Sequence, residues 1–290
     1  MSDESASYII QKSSTTYFLS SLFFPPEIKQ KVFVLYAFVR TADDFVDAVP
    51  QNRNGFYAFK KSYLHALEGK KSGNHIIDEF VALSRQHMFS PKWTEAFLKA
   101  MELDLYKQKY KTLKEVCLYM YGSAEVIGLM LASIFGLPAQ SYWYARRLGR
   151  AMQYINMIRD IAEDVHLGRQ YIPTEVLQLY GLPELTKKAS SIYSVQYESM
   201  IRQEIRRYSV WNSQAVAGLK YISPSERLPV ATAATMYQWT AETILKNPTV
   251  VWVRKVKPSS WRVFLTALKI WIFSYENSNR EVASTYSIRD

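Results

Sequence analysis

The stretch RAMQYINMIRDIAEDVHLGRQYIP, residues 150–173, predicts a long helix with one polar stripe. Gln153, Asn156, Asp160 and Asp164 follow one another at steps of three or four residues, so they share a helical face. Glu163 stands beside this stripe. Acidic side chains can bind a metal ion, and amides and guanidinium groups can contact phosphate oxygens. The stretch therefore favours a metal and phosphate site, with an ordinary polar helix face of paired acids and bases as the alternative.

A second acidic stretch, VLYAFVRTADDFVDAVP at residues 34–50, also predicts a helix. Asp43 and Asp47 lie four residues apart and share a face, which Arg40 can approach. Asp44 points to the side. Carboxylates so close together in an apolar helix repel one another and resist desolvation. A Mg²⁺ ion would offset that cost, because it binds few carboxylates and bridges to substrate phosphates. The alternative is a solvated helix end with its acids facing water.

The rest of the chain also favours helices, because proline and glycine are scarce and the alternation typical of strands is hard to find. We therefore expect an all-α fold. A hydrophobic fraction of 48% in 290 residues allows a substantial core in one large domain or two small ones. Residues 32–39 and 117–135 are apolar on nearly all sides and should be central. The predicted helices cover residues 26–49, 53–68, 75–88, 91–109, 112–135, 139–167, 186–221, 226–246 and 259–275.

Charge and cysteine content narrow the classes of partner and site. The net charge of +10 favours anionic partners, but no lysine and arginine run marks a nucleic-acid-binding tail, so nucleic acid is not expected. Cys117 is the sole cysteine, which excludes an intrachain disulfide and a cysteine-rich metal site and is compatible with the cytosol. The first residues lack the form of a secretory signal, and no uninterrupted run of about 18 apolar residues predicts a membrane-spanning helix.

Three motifs together resemble the squalene/phytoene synthase family of head-to-head prenyltransferases, over about residues 10–275. LYAFVRTADDFVD (35–47) looks like the first aspartate-rich motif of the family, and YINMIRDIAEDVHLGRQYIP (154–173) looks like the second. YMYGSAEVIGLM (119–130) resembles the tyrosine-containing helix between them. The resemblance implies one all-α isoprenoid-synthase domain over residues 1–290, built around a deep apolar cavity.

The resemblance also implies roles for individual residues. The residues that would bind Mg²⁺, for which Mn²⁺ can substitute, are Asp43, Asp44, Asp47, Asp160, Glu163 and Asp164. Tyr119 would act near the reacting carbons. The residues that would contact the diphosphates are Arg40, Gln153, Asn156, Arg159, Arg169, Tyr171, Tyr237, Arg254 and Ser13. Taken alone, Tyr119, Tyr171 and Tyr237 could equally be core tyrosines with a bonded hydroxyl.

Two positions depart from the family pattern. Ser13 stands where many members carry a basic residue or histidine. Ser123-Ala124-Glu125 replaces a common Val-Ala-Gly. The carboxylate of Glu125 either faces the polar end of the cavity or pairs with an arginine. Four bulky side chains are candidates for closing the cavity floor, namely Phe38, Met130, Phe135 and Met157.

The implied reaction joins two geranylgeranyl diphosphates to phytoene through a cyclopropyl diphosphate. The alternative is farnesyl diphosphate, giving dehydrosqualene, or squalene if a nicotinamide reduces the last cation. No Gly-x-Gly-x-x-Gly fingerprint is present, so NADPH is not expected. A non-catalytic helical assembly factor is a remote alternative, since such a relative would be expected to lose the acids.

The stretch SSWRVFLTALKIWIFSY, residues 259–275, is the last predicted helix and mixes aromatic with basic side chains. It predicts either the last core helix or a helix that lies on a bilayer surface. We expect a cytoplasmic protein that can contact membranes peripherally. The sequence leaves the oligomeric state open.

Overall fold

The computed structural model describes residues 19–286, with side chains through residue 273. This part of the chain is helical, and its one β-type pairing is an isolated bridge between Lys109 and Gln170. The expected all-α fold is confirmed. The α-helices are Pro26–Asp47 (α1), Arg53–Leu67 (α2), His75–Gln86 (α3), Pro91–Leu103 (α4), Leu113–Met120 (α5), Val126–Ile134 (α6), Tyr142–Arg159 (α7), Ile161–His166 (α8), Thr174–Leu179 (α9), Lys187–Ile192 (α10), Ser194–Val216 (α11), Pro224–Lys246 (α12) and Ser260–Tyr286 (α13).

Residues 112–135, predicted as one helix, form α5, a π turn at Tyr121–Glu125, and α6. The Thr112 side chain accepts a hydrogen bond from the backbone N–H of Glu115 and caps the N-terminus of α5. At the π turn, a Cβ atom on Gly122 would lie 2.3 Å from a backbone carbonyl oxygen of α4. Glycine therefore permits the close contact at which the helix changes its winding. Helical periodicity does not reveal such a change, because the pattern continues on both sides.

The predicted helix over residues 139–167 is divided at Asp160, whose backbone angles are φ −97° and ψ 12°. Before this residue lies α7, and after it lies α8. Asp160 thus lies at the junction of the two helices, and Asp164 lies in α8. The second acidic motif is therefore not carried by one uninterrupted helix.

The long helix α7 lies at the centre of the bundle, in contact with α6, α11, α12 and the π turn. The helix α1 packs against α3 and α4 on the other side of the core. There Phe38 stacks on Phe80 with ring centroids 3.8 Å apart. The buried apolar side chains form one continuous cluster that extends from Leu35 to Val256. Both acidic motifs are therefore attached to helices held by this core.

Two glycines allow α6 and α7 to approach closely. A Cβ atom on Gly128 would lie 2.4 Å from the carbonyl oxygen of Ala145, and one on Gly149 would lie 2.5 Å from that of Ala124. Gly128 and Gly149 also line an internal cavity. These glycines therefore contribute both to close helix packing and to the wall of the cavity.

Within residues 19–286, one helical stretch, Leu113–Ile134, is long and apolar enough to cross a membrane by length and composition. Half of its most apolar window is buried inside the protein. The stretch contacts α4 and α7. The core helix of a globular protein passes the same test, and this position in the bundle is that of a core helix.

Candidate active site

The two acidic motifs, at the end of α1 and across the α7–α8 junction, line one polar pocket. The charged residues of its lining are Arg40, Asp43, Asp47, Asp104, Arg159, Asp160, Glu163, Asp164, Arg169, Lys255 and Lys257. An apolar cavity adjoins this pocket. The residues that line both are Tyr36, Arg40, Asp43, Tyr119, Gln153, Asn156 and Tyr237. The arrangement brings charged groups of both signs to the mouth of an apolar cavity.

In the first motif, one arginine holds two carboxylates. Arg40 Nη1 lies 2.5 Å from Asp43 Oδ2, and its Nη2 lies 2.6 Å from Asp44 Oδ1. Asp43 lines both the pocket and the cavity, whereas Asp44 is 54% exposed and lines neither. Burial, together with the nearby charge of Asp47, raises the pKa of Asp43 to about 7. Asp43 is thus placed to face a ligand, and metal binding by Asp44 stays a prediction.

Arg169 connects the two motifs. Its Nη1 lies 2.6 Å from Asp47 Oδ1, and its Nη2 donates to the carbonyl oxygen of Val46 at 2.5 Å. Gly168, with φ +75°, turns the chain after α8, and the Arg169 backbone N–H donates to the carbonyl oxygen of Asp164. A residue of the second motif therefore fixes the last carboxylate of the first.

In the second motif, two of the three acids form ion pairs and the third does not. Arg159 forms a two-pronged contact with Asp160, with Nε–Oδ1 at 2.8 Å and Nη2–Oδ2 at 2.5 Å. Lys255 Nζ pairs with Glu163 and lies 3.3 Å from Asp160 Oδ1. Among the described residues no cation lies within ion-pair distance of Asp164, whose pKa is raised to about 8 by burial and by the charge of Asp160. Asp164 therefore faces the pocket with an unmatched carboxyl group.

Two buried polar atoms at the mouth of the cavity point to a ligand. Asn156 Oδ1 and Arg40 Nε have no hydrogen-bond partner in the part of the chain that the structure describes. Burying such atoms costs free energy unless a hydrogen-bond partner is present. Gln153 lies beside them in the lining of both pocket and cavity. The mouth thus offers both an acceptor and a donor to a bound molecule.

The carboxylates of the pocket fit Mg²⁺ on the condition that a substrate phosphate takes part in the coordination. No group of three or more acidic, histidine or cysteine side chains between residues 19 and 273 lies close enough together to hold an ion unaided. Mg²⁺ commonly binds one or two carboxylates and completes its coordination with water and substrate phosphates. Carboxylates on two helices that face one pocket suit that kind of site, with the phosphate as part of the coordination.

Tyr119 lies where the polar pocket meets the apolar cavity, and a carboxylate orients it. Its hydroxyl donates to Asp104 Oδ2 at 2.7 Å, and the Tyr171 hydroxyl donates to Asp104 Oδ1 at 2.9 Å. The two rings lie 5.2 Å apart, and the ring of Tyr110 packs on both at 5.5 and 5.8 Å. Burial raises the pKa of Tyr119 well above its ordinary value. The Tyr119 hydroxyl is therefore a neutral, fixed donor with its ring at the junction.

The sequence interpretation missed Asp104. It lies one residue beyond α4, whose predicted end at residue 109 the structure moves to Leu103. Burial raises the pKa of Asp104 to about 6, although both tyrosine hydroxyls and Arg169 oppose that rise. The available signal was a lone aspartate between two leucines in ELDLYKQKY, residues 102–110. An acid in such an apolar setting needs buried partners, but the sequence does not say which.

The C-terminal part of the pocket differs in detail from the expectation. Tyr237 lines both pocket and cavity, as predicted. Arg254 lies in an adjoining small pocket, and the cations that this segment contributes to the main pocket are Lys255 and Lys257. The sequence run Arg-Lys-Val-Lys contained these lysines, but spacing alone could not say which side chains turn inward. Ser13 lies outside the described residues.

The apolar cavity is lined by residues from Ser141, just before α7, to Asn156 near the end of α7. The fifteen steps between these two residues span about 22 Å at 1.5 Å per residue. Of the four candidates for the cavity floor, Phe135 lines the cavity, whereas Phe38 and Met130 belong to the core and Met157 lines the polar pocket. The cavity thus extends for about 22 Å, with its charged mouth at one end.

Glu125 stabilises the fold and lines neither the polar pocket nor the apolar cavity. It is fully buried, with Arg146 Nε 2.9 Å and Arg150 Nη2 2.5 Å from its carboxylate oxygens. Of the two alternatives for this carboxylate, pairing with arginine is the one observed. The ion pairs attach the π turn to α7.

Comparisons with known proteins agree with this geometry. Residues 10–268 match the squalene/phytoene synthase family. The chain is 28% identical over 248 residues to a 15-cis-phytoene synthase of Synechocystis sp., covering 80% of this chain and 73% of that enzyme. It is 27% identical over 246 residues to a chloroplastic phytoene synthase of Daucus carota, covering 80% and 60%. A solved structure of a dehydrosqualene synthase in complex with ligand matches with a TM-score of 0.83 at 24% identity, covering 94% of this chain and 95% of that one, which shows a shared fold.

Proposed function

This chain belongs to the squalene/phytoene synthase family and is a prenyltransferase, and we propose that it joins two geranylgeranyl diphosphates head to head to form phytoene. One observation carries the proposal. Two acidic motifs, distant in the sequence, line a single polar pocket that opens into an apolar cavity. A prenyl diphosphate has the matching form, with an anionic head and a long apolar tail.

Asp43, Asp47, Asp160 and Asp164 would hold Mg²⁺ together with diphosphate oxygens and water. When bound, the metal neutralises the diphosphate and makes it a better leaving group. Arg40, Arg159 and the two lysines of the pocket would contact the remaining phosphate oxygens.

Loss of the first diphosphate leaves an allylic cation in the cavity. The double bond of the second substrate attacks this cation, and loss of a proton closes a cyclopropane that still carries one diphosphate. Loss of that diphosphate, rearrangement and loss of a further proton give the hydrocarbon. The resemblance to the family supplies this sequence of steps. The apolar lining contributes by excluding water, which would otherwise capture each cation.

Tyr119 is placed to act on the cations. Its ring lines the cavity next to the diphosphate mouth, where the negative face of an aromatic ring stabilises positive charge. Its hydroxyl is held by Asp104, so the ring orientation is fixed before the substrate enters. The hydroxyl oxygen keeps a lone pair that can assist transfer of a proton to a departing diphosphate.

Cavity length supports the twenty-carbon substrate. A prenyl repeat with four main-chain bonds of about 1.5 Å spans about 5 Å, so a geranylgeranyl chain is about 20 Å long. The cavity extends for about 22 Å along α7 and accepts that length. A farnesyl chain of about 15 Å also fits. The structural match to a dehydrosqualene synthase favours farnesyl diphosphate as the second candidate.

The test is product analysis. Purified protein and Mg²⁺ are incubated with geranylgeranyl or farnesyl diphosphate, each with and without NADPH, and the hydrocarbons are identified by mass spectrometry. We expect a forty-carbon product from geranylgeranyl diphosphate, independent of NADPH and lost in Asp160→Asn/Asp164→Asn. A thirty-carbon product alone would transfer the proposal to farnesyl diphosphate, and NADPH dependence would then identify squalene. No binding of either substrate would contradict the enzyme proposal and favour an assembly factor.

A further inference from the structure

The helix α13 carries an exposed apolar stripe that the proposed reaction does not use. Seven large apolar side chains between Trp261 and Phe273 are between 37% and 67% exposed. At 100° per residue all of them except Phe273 fall within an arc of about 120° on the helix surface. The members of the stripe are Trp261, Phe264, Leu265, Leu268, Trp271 and Ile272.

A different face of α13 holds the helix on the protein. Val263 and Ala267 are 1% and 3% exposed, and on a helical projection they lie about 140° and 100° from the middle of the stripe. The guanidinium of Arg262 lies over the ring of Trp239 in α12, 4.7 Å from its centroid. Because α13 already has its packing face, the stripe is a second apolar surface on the same helix. The packing of α13 on the protein therefore does not require the stripe to be apolar.

The charges around the stripe identify its partner. Residues 258–273, which include the stripe, contain Arg262 and Lys269 and no aspartate or glutamate, and the next acid along the sequence is Glu276. Arg262 and Lys269 lie along one edge of the stripe, at about 80–100° from Trp261 on a helical projection. Such a surface complements anionic lipid headgroups. Tryptophan is also the residue best suited to the boundary between headgroups and acyl chains.

A second copy of the chain fits the same surface less well. In a two-fold symmetric contact, each stripe would meet its own copy. The bases at the edge of one copy would find no acid among residues 258–273 of the other copy to pair with. Like charges across an interface oppose association. The overall charge of +10 acts in the same direction.

We propose that the exposed stripe of α13 binds the surface of an anionic lipid bilayer, with the helix lying in the plane of the headgroups. This inference goes beyond the proposed reaction and does not depend on it. The membrane would receive the aromatic side chains between its headgroups, and Lys269 would contact lipid phosphates. The helix would not cross the bilayer, because Val263 and Ala267 keep it on the protein.

The experiment is flotation of the full chain on a density gradient with phosphatidylcholine vesicles, with and without phosphatidylglycerol. We expect binding to the vesicles that contain phosphatidylglycerol, weakened by salt. In Trp261→Ser/Phe264→Ser the partition coefficient should fall about tenfold or more, because two exposed aromatic anchors are lost. Lys269→Glu should reduce binding to anionic vesicles about tenfold while leaving the aromatic side chains in place.

The matched control is Leu64→Ser/Leu179→Ser, which removes two apolar side chains that are 50% and 79% exposed on α2 and α9. It should float like the unaltered protein, and circular dichroism should show all variants equally folded. Failure of the unaltered chain to float overturns the proposal, as does equal flotation of the stripe variant. A dimer in sedimentation that Trp261→Ser/Phe264→Ser dissociates, without flotation, would assign the stripe to a second copy and also overturn it.

Discussion

Replacing Tyr119 by phenylalanine should destabilise the protein by about 2 kcal/mol, because it removes one of two hydroxyl groups that bond a buried carboxylate. The lost bond joins the Tyr119 hydroxyl to Asp104 Oδ2 at 2.7 Å. Asp104 is 6% exposed, so little water can replace the donor. A hydrogen bond to a charged group contributes about 1.5–3 kcal/mol, and the ring itself stays in place in this variant.

A double-mutant cycle isolates this contact from other effects. The variants are Tyr119→Phe, Asp104→Asn and the two combined, measured by urea unfolding at pH 8. At that pH Asp104 is ionised, because its pKa is about 6. We expect a coupling free energy of about 1–2 kcal/mol, since each single change removes the same charged hydrogen bond. Steady-state kinetics on the same variants would show whether the hydroxyl or the ring matters more for the rate.

Tyr208→Phe is the matched control. Tyr208 is equally buried, and its hydroxyl has no hydrogen-bond partner among the described residues. Loss of that hydroxyl should change the free energy of unfolding by under about 0.5 kcal/mol. The reasoning would be refuted by additive effects of Tyr119→Phe and Asp104→Asn, or by a cost for Tyr208→Phe as large as that for Tyr119→Phe.

Three further predictions concern pH, packing and chain length. The pKa values of Asp43, Asp104 and Asp164 in the folded protein are about 7, 6 and 8, above the usual 3.8. The stability that these groups contribute is therefore present in acid and is lost as the pH rises through about 4–8. Thermal unfolding without metal should show this decline, and Mg²⁺ with pyrophosphate should reverse it at pH 8. Gly128→Ala should lower the free energy of unfolding by about 1–3 kcal/mol in a urea titration, because its Cβ meets a carbonyl oxygen at 2.4 Å. Ala145→Phe should shorten the cavity to about 16 Å and lower kcat/KM for geranylgeranyl diphosphate about tenfold more than for farnesyl diphosphate; an equal fall for both would refute the length argument.

The parts of the fold and site that follow a local pattern could be predicted from the sequence. Spacing placed Asp43 and Asp47 on one face of α1, and a 3.6-residue period placed Gln153 and Asn156 on one face of α7. All four line the polar pocket. The apolar segment over 117–135 was correctly assigned to the centre of the bundle. These features depend on residues within a few turns of one another, which a sequence displays directly.

The parts that depend on contacts between distant segments could not be predicted. Asp104 accepts hydrogen bonds from the hydroxyl groups of Tyr119 and Tyr171, which lie 15 and 67 residues later in the sequence. The same limit applies at the C-terminal side, where the fold turns Lys255 toward Glu163 and leaves Arg254 in a neighbouring pocket. The break of the helix at Asp160 is a further case, because each half of the motif keeps a helical pattern.

The central claim is that the two acidic motifs form one metal-dependent diphosphate site. Calorimetric titration of the protein with inorganic pyrophosphate, with and without Mg²⁺, tests it most directly. We expect binding that requires Mg²⁺ and that Asp43→Asn and Asp164→Asn, one from each motif, each weaken about tenfold or more, because each removes a carboxylate facing the shared pocket. Binding that is independent of Mg²⁺, or that only one of the two substitutions weakens, would contradict the claim.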